Sequence, residues 1–251
     1  MSYIPPFRIT EAISLLTEEI CAHADRLETF NSEILSAPKL RRENTIRTIH
    51  SSLAIEQNTL SLEQVTAVID GKRVLGSPIE IQEVQNAYEA YNLMLELDPL
   101  SVNDLLRAHR LMMKGLVPEN GRFRSGGVGV FEGNILVHMA PPARLVPEHM
   151  ANLFAWYRSS QVHPLVKSSV FHYEFEFIHP FSDGNGRLGR MWRSLLLGQW
   201  KKLFLWLPVE ELIKSRQEDY YRVLGVSDRE ADSTEFIMFM LEVIRDSISE
   251  F

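Results

Sequence analysis

The stretch "FIHPFSDGNGRLGR" at 177–190 gathers a histidine, an aspartate, three glycines, an asparagine and two arginines. No packing requirement asks for that mixture. Pro180 disfavours helical angles at His179, so the apolar helix suggested by "SSVFHYEFEFIHPF" is expected to stop there. "DGNGR" then makes a tight loop, and "MWRSLLLGQW" resumes a helix. A glycine loop feeding a helix N-terminus aims several backbone N–H groups at one point with the helix dipole behind them, which makes an anion site. Gly184 and Gly186 permit backbone angles closed to other residues and let a ligand come close. Arg187 and Arg190 share a helix face, and two guanidinium groups beside an anion nest suit a polyphosphate. Asp183 could hold a divalent cation, because magnesium on phosphates takes one or two carboxylates and several waters. His179 is placed to take a proton near neutral pH. The chemistry these residues suggest is phosphate binding beside a base.

Taken singly, each residue has an ordinary structural use: a satisfied histidine, arginines paired with local acids, a polar turn. Together within one loop they are harder to explain that way. Other phosphate motifs do not fit. Gly184, Gly186 and Gly189 spell G-x-G-x-x-G, but a helix precedes them where the dinucleotide fingerprint needs a strand. There is no G-x-x-x-x-G-K-[ST] loop and no protein-kinase catalytic-loop set. His172 and His179 have no third ligand at a zinc spacing.

Helical periodicity dominates the elements that must hold this loop. Thr10 can cap a first helix with Ile13, Leu16, Ile20, Ala24 and Leu27 on one face. "NTIRTIHSSLAIEQN" puts Ile46, Ile49 and Leu53 at helical spacing. Ser61 with Gln64 resembles a capping box, and Gly71 suits a helix end. Ser77-Pro78 opens a helix expected to run through Leu97, and Ser101 can cap "VNDLLRAHRLMMKGL". Further helices are expected over 147–160, 165–178, 187–201, 209–225 and 233–248. "VGVFEGNILVH" at 128–138 breaks the pattern: two β-type runs flank Gly133-Asn134, a hairpin signal. Such a hairpin must lie on the helical body, and its outer edge could pair with another chain.

The expected fold is all-α with one short β-hairpin, without repeats or long linkers. An N-terminal helical segment (1–75) would pack on a core (76–251). The chain has 251 residues, 45% hydrophobic and 24% charged, with a net charge of −7. That acidic balance argues against nucleic acid or anionic membrane as a partner. Cys21 is the one cysteine, which fits a reducing compartment. "MSYIPPFRIT" does not read as a secretory leader, and no apolar run approaches the roughly 20 residues that span a bilayer. A cytoplasmic protein is expected; a homo-oligomer stays open.

"HPFSDGNGRLGR" resembles the signature of Fic-domain proteins, H-P-F-x-[D/E]-G-N-G-R-x-x-R, at every specified position from His179 to Arg190. "GRFRSGGVGVF" (121–131) followed by "PP" resembles that family's flap hairpin, and "EDYYRVL" (218–224) the helix behind the nucleotide base. "SSLAIEQN" (51–58) resembles the inhibitory-helix motif [S/T]-x-x-x-E-[G/N]; here that helix would cover about 43–58. The resemblance implies a Fic-type helical bundle that transfers AMP from ATP to a Ser, Thr or Tyr hydroxyl of a target protein, releasing pyrophosphate. It implies His179 as general base and Asp183 as the holder of Mg2+ on the α- and β-phosphates. Gly184, Asn185 and Gly186 would cradle the phosphates, Arg187 would reach the β- and Arg190 the γ-phosphate, with Leu188 and Gly189 in the same nucleotide-binding stretch. Phe181 would anchor the loop. Val128, Gly129, Val130 and Phe131 would cover the nucleotide, the target would dock on the hairpin, and Tyr220 and Asp228 would lie near the base. Glu56 would hold the enzyme back.

Three departures stand out: Gln57 replaces the usual Gly or Asn, the flap is rich in glycine, and Asp228 stands where some relatives have asparagine. The C-terminal winged-helix module of longer Fic-domain proteins is not expected after "EVIRDSISEF". The alternatives are removal of AMP, transfer of UMP or another phosphate-containing group, phosphorylation, or a regulatory, toxin–antitoxin-like binding module with vestigial catalysis.

Overall fold

Caps and breakers set most of the helix boundaries. The computed structural model describes residues 3–30, 37–132 and 135–250. Helix α1 (Glu11–Phe30) starts behind Thr10, whose hydroxyl accepts from the Ile13 N–H at 3.2 Å, the bond an N-cap threonine makes. Helix α2 (Pro38–Ile55) turns Ile46, Ile49 and Leu53 inward. It opens ahead of the expected residue 43 because proline suits a first helical turn. Helix α3 (Leu62–Ile69) has the full capping box between Ser61 and Gln64, and Gly71 follows it at a φ of 73°.

Helix α4 (Pro78–Leu93) opens on its proline as expected but stops short of Leu97. Met94–Glu96 tightens into a 3-10 turn ahead of Asp98-Pro99, where the residue before proline is driven away from helical angles. The Ser101 hydroxyl caps α5 (Val102–Met112). Strands β1 (Gly129–Glu132) and β2 (Ile135–Met139) pair antiparallel, with a register shift between the Val130 and Phe131 pairs. The expected turn residues, Gly133 and Asn134, lie outside the described residues.

Helices α6 (Val146–Ser159), α7 (Pro164–Ile178) and α8 (Asn185–Gly198) follow. The one helix expected over 209–225 is two. Helix α9 (Val209–Ser215) ends at Arg216, whose φ of −114° and ψ of 34° leave the helical region, and α10 (Gln217–Glu230) restarts at once. Neither proline nor glycine stands there, so the break is a tertiary effect. Helix α11 (Thr234–Ser249) closes the order.

Helix α7 is buried on nearly all sides, the polar Ser168, Ser169, His172 and Glu174 included. It packs on α6, α8 and α11, while α11 also covers α1, and α2 lies across α4, α8 and α9. One cluster of buried apolar side chains runs from Ile13 to Ile248. Among the described residues no helix is long and apolar enough to cross a membrane.

Candidate functional site

Helix α7 ends where Pro180 requires it. His179 takes left-handed angles, φ 50° and ψ 62°, uncommon for a residue with a Cβ. Its N–H still donates to Phe175 O at 2.9 Å. Its ring Nδ1 lies 3.2 Å from Glu176 O; a carbonyl only accepts, so Nδ1 carries the proton and Nε2 is the basic nitrogen.

The loop that follows is pinned from inside. Phe181 is fully buried and stacks on the His109 ring at 3.7 Å between centroids. Asn185 clamps the backbone of Phe181 in both directions: Oδ1 accepts from Phe181 N and Nδ2 donates to Phe181 O, each at 2.9 Å. His109 holds the other side. Its Nδ1 accepts from Gly121 N at 2.9 Å, which places the proton on Nε2 for donation to Asp183 O at 3.0 Å. Burial pushes His109 down to about 4, so the neutral ring this geometry needs is the one present at pH 7.

Gly184 opens α8 at a φ of 82°, and a Cβ there would lie 2.5 Å from Met113 Sδ. The N–H groups of Asn185, Gly186 and Arg187 are those a helix start leaves without an intrahelical acceptor, and their dipoles favour an anion. Arg187 is nearly buried; it bonds Glu83 at 2.9 Å and Asp183 at 3.2 Å. Arg190, 1% exposed, donates Nε to Ser52 Oγ at 3.1 Å and Nη2 to both Ser52 O at 2.9 Å and Glu56 Oε1 at 2.8 Å. A Cβ on Gly186 would stand 2.3 Å from that same Glu56 oxygen. A carboxylate from α2 therefore rests on the first turn of α8, where the sequence placed phosphates.

Glu56 reaches this point because α2 ends in a tight closure. Asn58 N donates to Leu53 O at 3.1 Å and Gln57 N to Ala54 O at 3.2 Å, the bond pair of a Schellman motif. Gln57 occupies its left-handed position at a φ of 70°. That geometry explains why Gly or Asn suits the residue after the glutamate. Asn58 Nδ2 then bonds Glu83 at 2.8 Å, so Glu83 joins the end of α2 to Arg187.

The hairpin is tied to the same loop by Arg124. Its buried guanidinium donates to His179 O at 2.7 Å, Gly126 O at 2.9 Å and Pro141 O at 2.5 Å, and its N–H bonds Pro180 O at 3.0 Å. One side chain thus fixes both hairpin approaches against His179. Val128 leads into β1, which Gly129 opens; the side chains of Val130 and Phe131 lie outside the described residues.

Several residues expected at the nucleotide face elsewhere. Leu188 is fully buried, with its N–H already given to Gly184 O at 3.0 Å. Gly189 serves helix packing, since a Cβ there would meet Glu176 at 2.5 Å and Phe175 at 3.1 Å on α7. The Asn185 side chain is committed to Phe181, which leaves its N–H for an anion. Tyr220 is only 2% exposed, its hydroxyl 3.2 Å from His172 Nε2; Tyr221, 46% exposed, has the surface. Asp228 accepts from Tyr173 at 2.9 Å. His109, Arg124 and Glu83 were not singled out from the sequence. Each acts on a partner more than 50 residues away, and no local pattern marks such a contact.

Comparison with known proteins shows the family. The Fic/DOC family model matches residues 99–197. The crystal structure of a Fic family protein from Desulfovibrio desulfuricans G20 is 59% identical, with a TM-score of 0.95, over 99% of this chain and 76% of that one. The chain belongs to the Fic family. The protein adenylyltransferase Fic of Aedes aegypti is 29% identical over 237 residues, 90% of this Fic chain and 45% of its own. Fic-1 of Caenorhabditis elegans is 28% identical over 225 residues, 85% of this chain and 42% of its own. The chain thus spans about half the length of the curated relatives it matches. A solved portion of C. elegans Fic-1 shares the fold, with a TM-score of 0.75 at 24% identity over 94% of this chain and 72% of that one.

Proposed function

We propose that this protein transfers AMP from ATP to a Ser, Thr or Tyr hydroxyl of a target protein. His179 Nε2 takes the hydroxyl proton as the oxygen attacks the α-phosphorus, and pyrophosphate leaves. The α8 N-terminus and Arg187 hold the phosphates, Arg190 holds the γ-phosphate, and positioned charge does most of the work. Asp183 fits magnesium: its side chain is 56% exposed beside the anion site, and one carboxylate suffices for an ion that takes its other ligands from phosphate and water. The bound ion would neutralise charge on the leaving pyrophosphate. The hairpin tethered by Arg124 covers the nucleotide and offers an edge to the target chain. The base contacts the exposed Tyr221, with Tyr220 as its buried support.

The observation that carries this reading is Glu56. A carboxylate held on Arg190 at 2.8 Å, over Gly186, is an anion already seated where a triphosphate belongs. Glu56 therefore acts as an inhibitor. The test is incubation with α-labelled ATP, magnesium and cell lysate. A labelled protein band should appear and should vanish with His179→Ala while nucleotide binding persists. A His179→Ala protein that labels at the parent rate removes His179 as the base.

A second reading rests on the same carboxylate, whose side chain is 33% exposed. There Glu56 positions water to remove AMP from a modified protein. Release of labelled AMP from a pre-labelled target, lost on Glu56→Gly, would favour that direction.

A further inference from the structure

The break between α9 and α10 lies against the end of α2. A helix leaves its last carbonyls without intrahelical donors, and the two before Glu56, Ala54 O and Ile55 O, have partners from another part of the chain. Lys214, at the end of α9, donates Nζ to Ala54 O at 2.9 Å. Gln217, opening α10, donates Nε2 to Ile55 O at 3.1 Å. The two clamp residues bond each other, Lys214 Nζ to Gln217 Oε1 at 2.8 Å. A continuous helix over 209–225 would not break at Arg216, between these two residues. The lysine also places positive charge at the negative end of the α2 dipole, where the Glu56 carboxylate is unfavourable. The closure being held is intrinsically weak, because Gln57 sits at a φ of 70° without being glycine. Gln217 and Tyr221 stand four residues apart on α10, so they share a face of that helix.

We infer that Lys214 and Gln217 are positioning residues that clamp the C-terminal turn of α2 and so set how firmly Glu56 is seated on Arg190. The clamp joins the inhibitory turn to the α9–α10 junction, one helical turn before the exposed Tyr221. A ligand that shifts α10 at Tyr221 would pull on the turn that carries Glu56. The inference rests on the inhibitory reading of Glu56 and adds what regulates it. It acts through hydrogen bonds to backbone carbonyls and changes no group that touches the reacting phosphorus.

The test uses the full chain. Lys214→Met keeps the stem and removes the ammonium; Gln217→Ala removes the amide. Both positions are half-buried, and a thermal melt checks folding. Two quantities are read on the parent, both variants, Glu56→Gly and the Lys214→Met/Glu56→Gly double variant. One is amide hydrogen exchange at Gln57 and Asn58; the other is self-labelling by α-labelled ATP with magnesium. Each clamp variant should exchange these amides about tenfold faster, the size expected for one lost hydrogen bond, and should label itself several-fold faster. Lys214→Met should add nothing once Glu56 is gone, and Lys214→Arg, which restores a cationic donor, should move back toward the parent. Unchanged exchange overturns the clamp, as does an equal gain in labelling with and without Glu56. If Glu56→Gly gains activity and the clamp variants do not, only the clamp falls. If Glu56→Gly labels no faster than the parent, inhibition by Glu56 falls and the clamp falls with it.

Discussion

Glu56 and Arg190, 134 residues apart, meet at 2.8 Å across the first turn of α8. The pair puts a carboxylate at the C-terminal end of one helix and the N-terminal end of another. The first position disfavours it and the second favours it. Under the proposed function, a nucleoside triphosphate would compete with Glu56 for the same guanidinium.

Glu56→Gly should raise AMP transfer by one to two orders of magnitude, about the factor by which a misplaced reactant slows an in-line step. The measurement is the initial rate of labelling by α-labelled ATP. Adding Arg190→Ala should erase the gain, because the released partner is then missing. A folded Glu56→Gly protein that binds Mg·ATP and is no faster than its parent leaves Glu56 as a structural ion pair.

Gln57→Gly should stabilise the fold by about 0.5–1 kcal/mol. A non-glycine residue in the left-handed region costs about 1–2 kcal/mol, and the larger unfolded-state entropy of glycine takes part of that back. Urea unfolding measures it. A lower midpoint at unchanged slope would mean that the Gln57 side chain contributes more than its backbone costs.

Buried Arg193 and Glu210 form an ion pair at 3.7 Å between α8 and α9, with both side chains fully out of solvent. Removing one partner of such a pair strands a charge. Arg193→Met should therefore destabilise by about 3–5 kcal/mol, while Arg193→Met with Glu210→Met should recover most of the loss. Denaturant melts of the three proteins decide it; equal losses in the single and double variants would contradict the argument.

Glu174 gives a pH dependence. Burial, with Asp228 nearby, pushes its carboxyl up from 4.5 to about 7, although the Tyr3 hydroxyl at 2.6 Å offsets part of the shift. A raised carboxyl value means that the folded state holds the proton more tightly. The associated stability is fully present below about 4.5 and is lost as pH climbs through about 7. Relative to Glu174→Gln, the unfolding free energy of the parent should fall by up to about 3 kcal/mol over that range. Parallel curves for the two proteins would remove Glu174 from the titration.

Local chemistry was legible in the sequence. Thr10, Ser61 and Ser101 cap the helices they were expected to cap. Pro78 opens α4, and His179 leaves the helical region before Pro180. These signals act within four residues of chain, through backbone angles and orphan N–H groups, so the residues carry them without a fold. The tight loop, the glycine start of α8 and the paired arginines belong to the same class. What lies beyond that reach needed the packed structure. The partner of Glu56 depends on how α2 crosses α8. The break at Arg216 has no breaker residue. Of two adjacent tyrosines, Tyr220 is buried and Tyr221 exposed because α10 presents one face to α7 and α11 and the other outward. No local sequence pattern marks His109 or Arg124. Only burial and distant carbonyls turn them into the supports of the loop. Caps, breakers and the glycine loop before α8 are short-range properties; that the Glu56 carboxylate rests on the first turn of α8 is decided by tertiary packing.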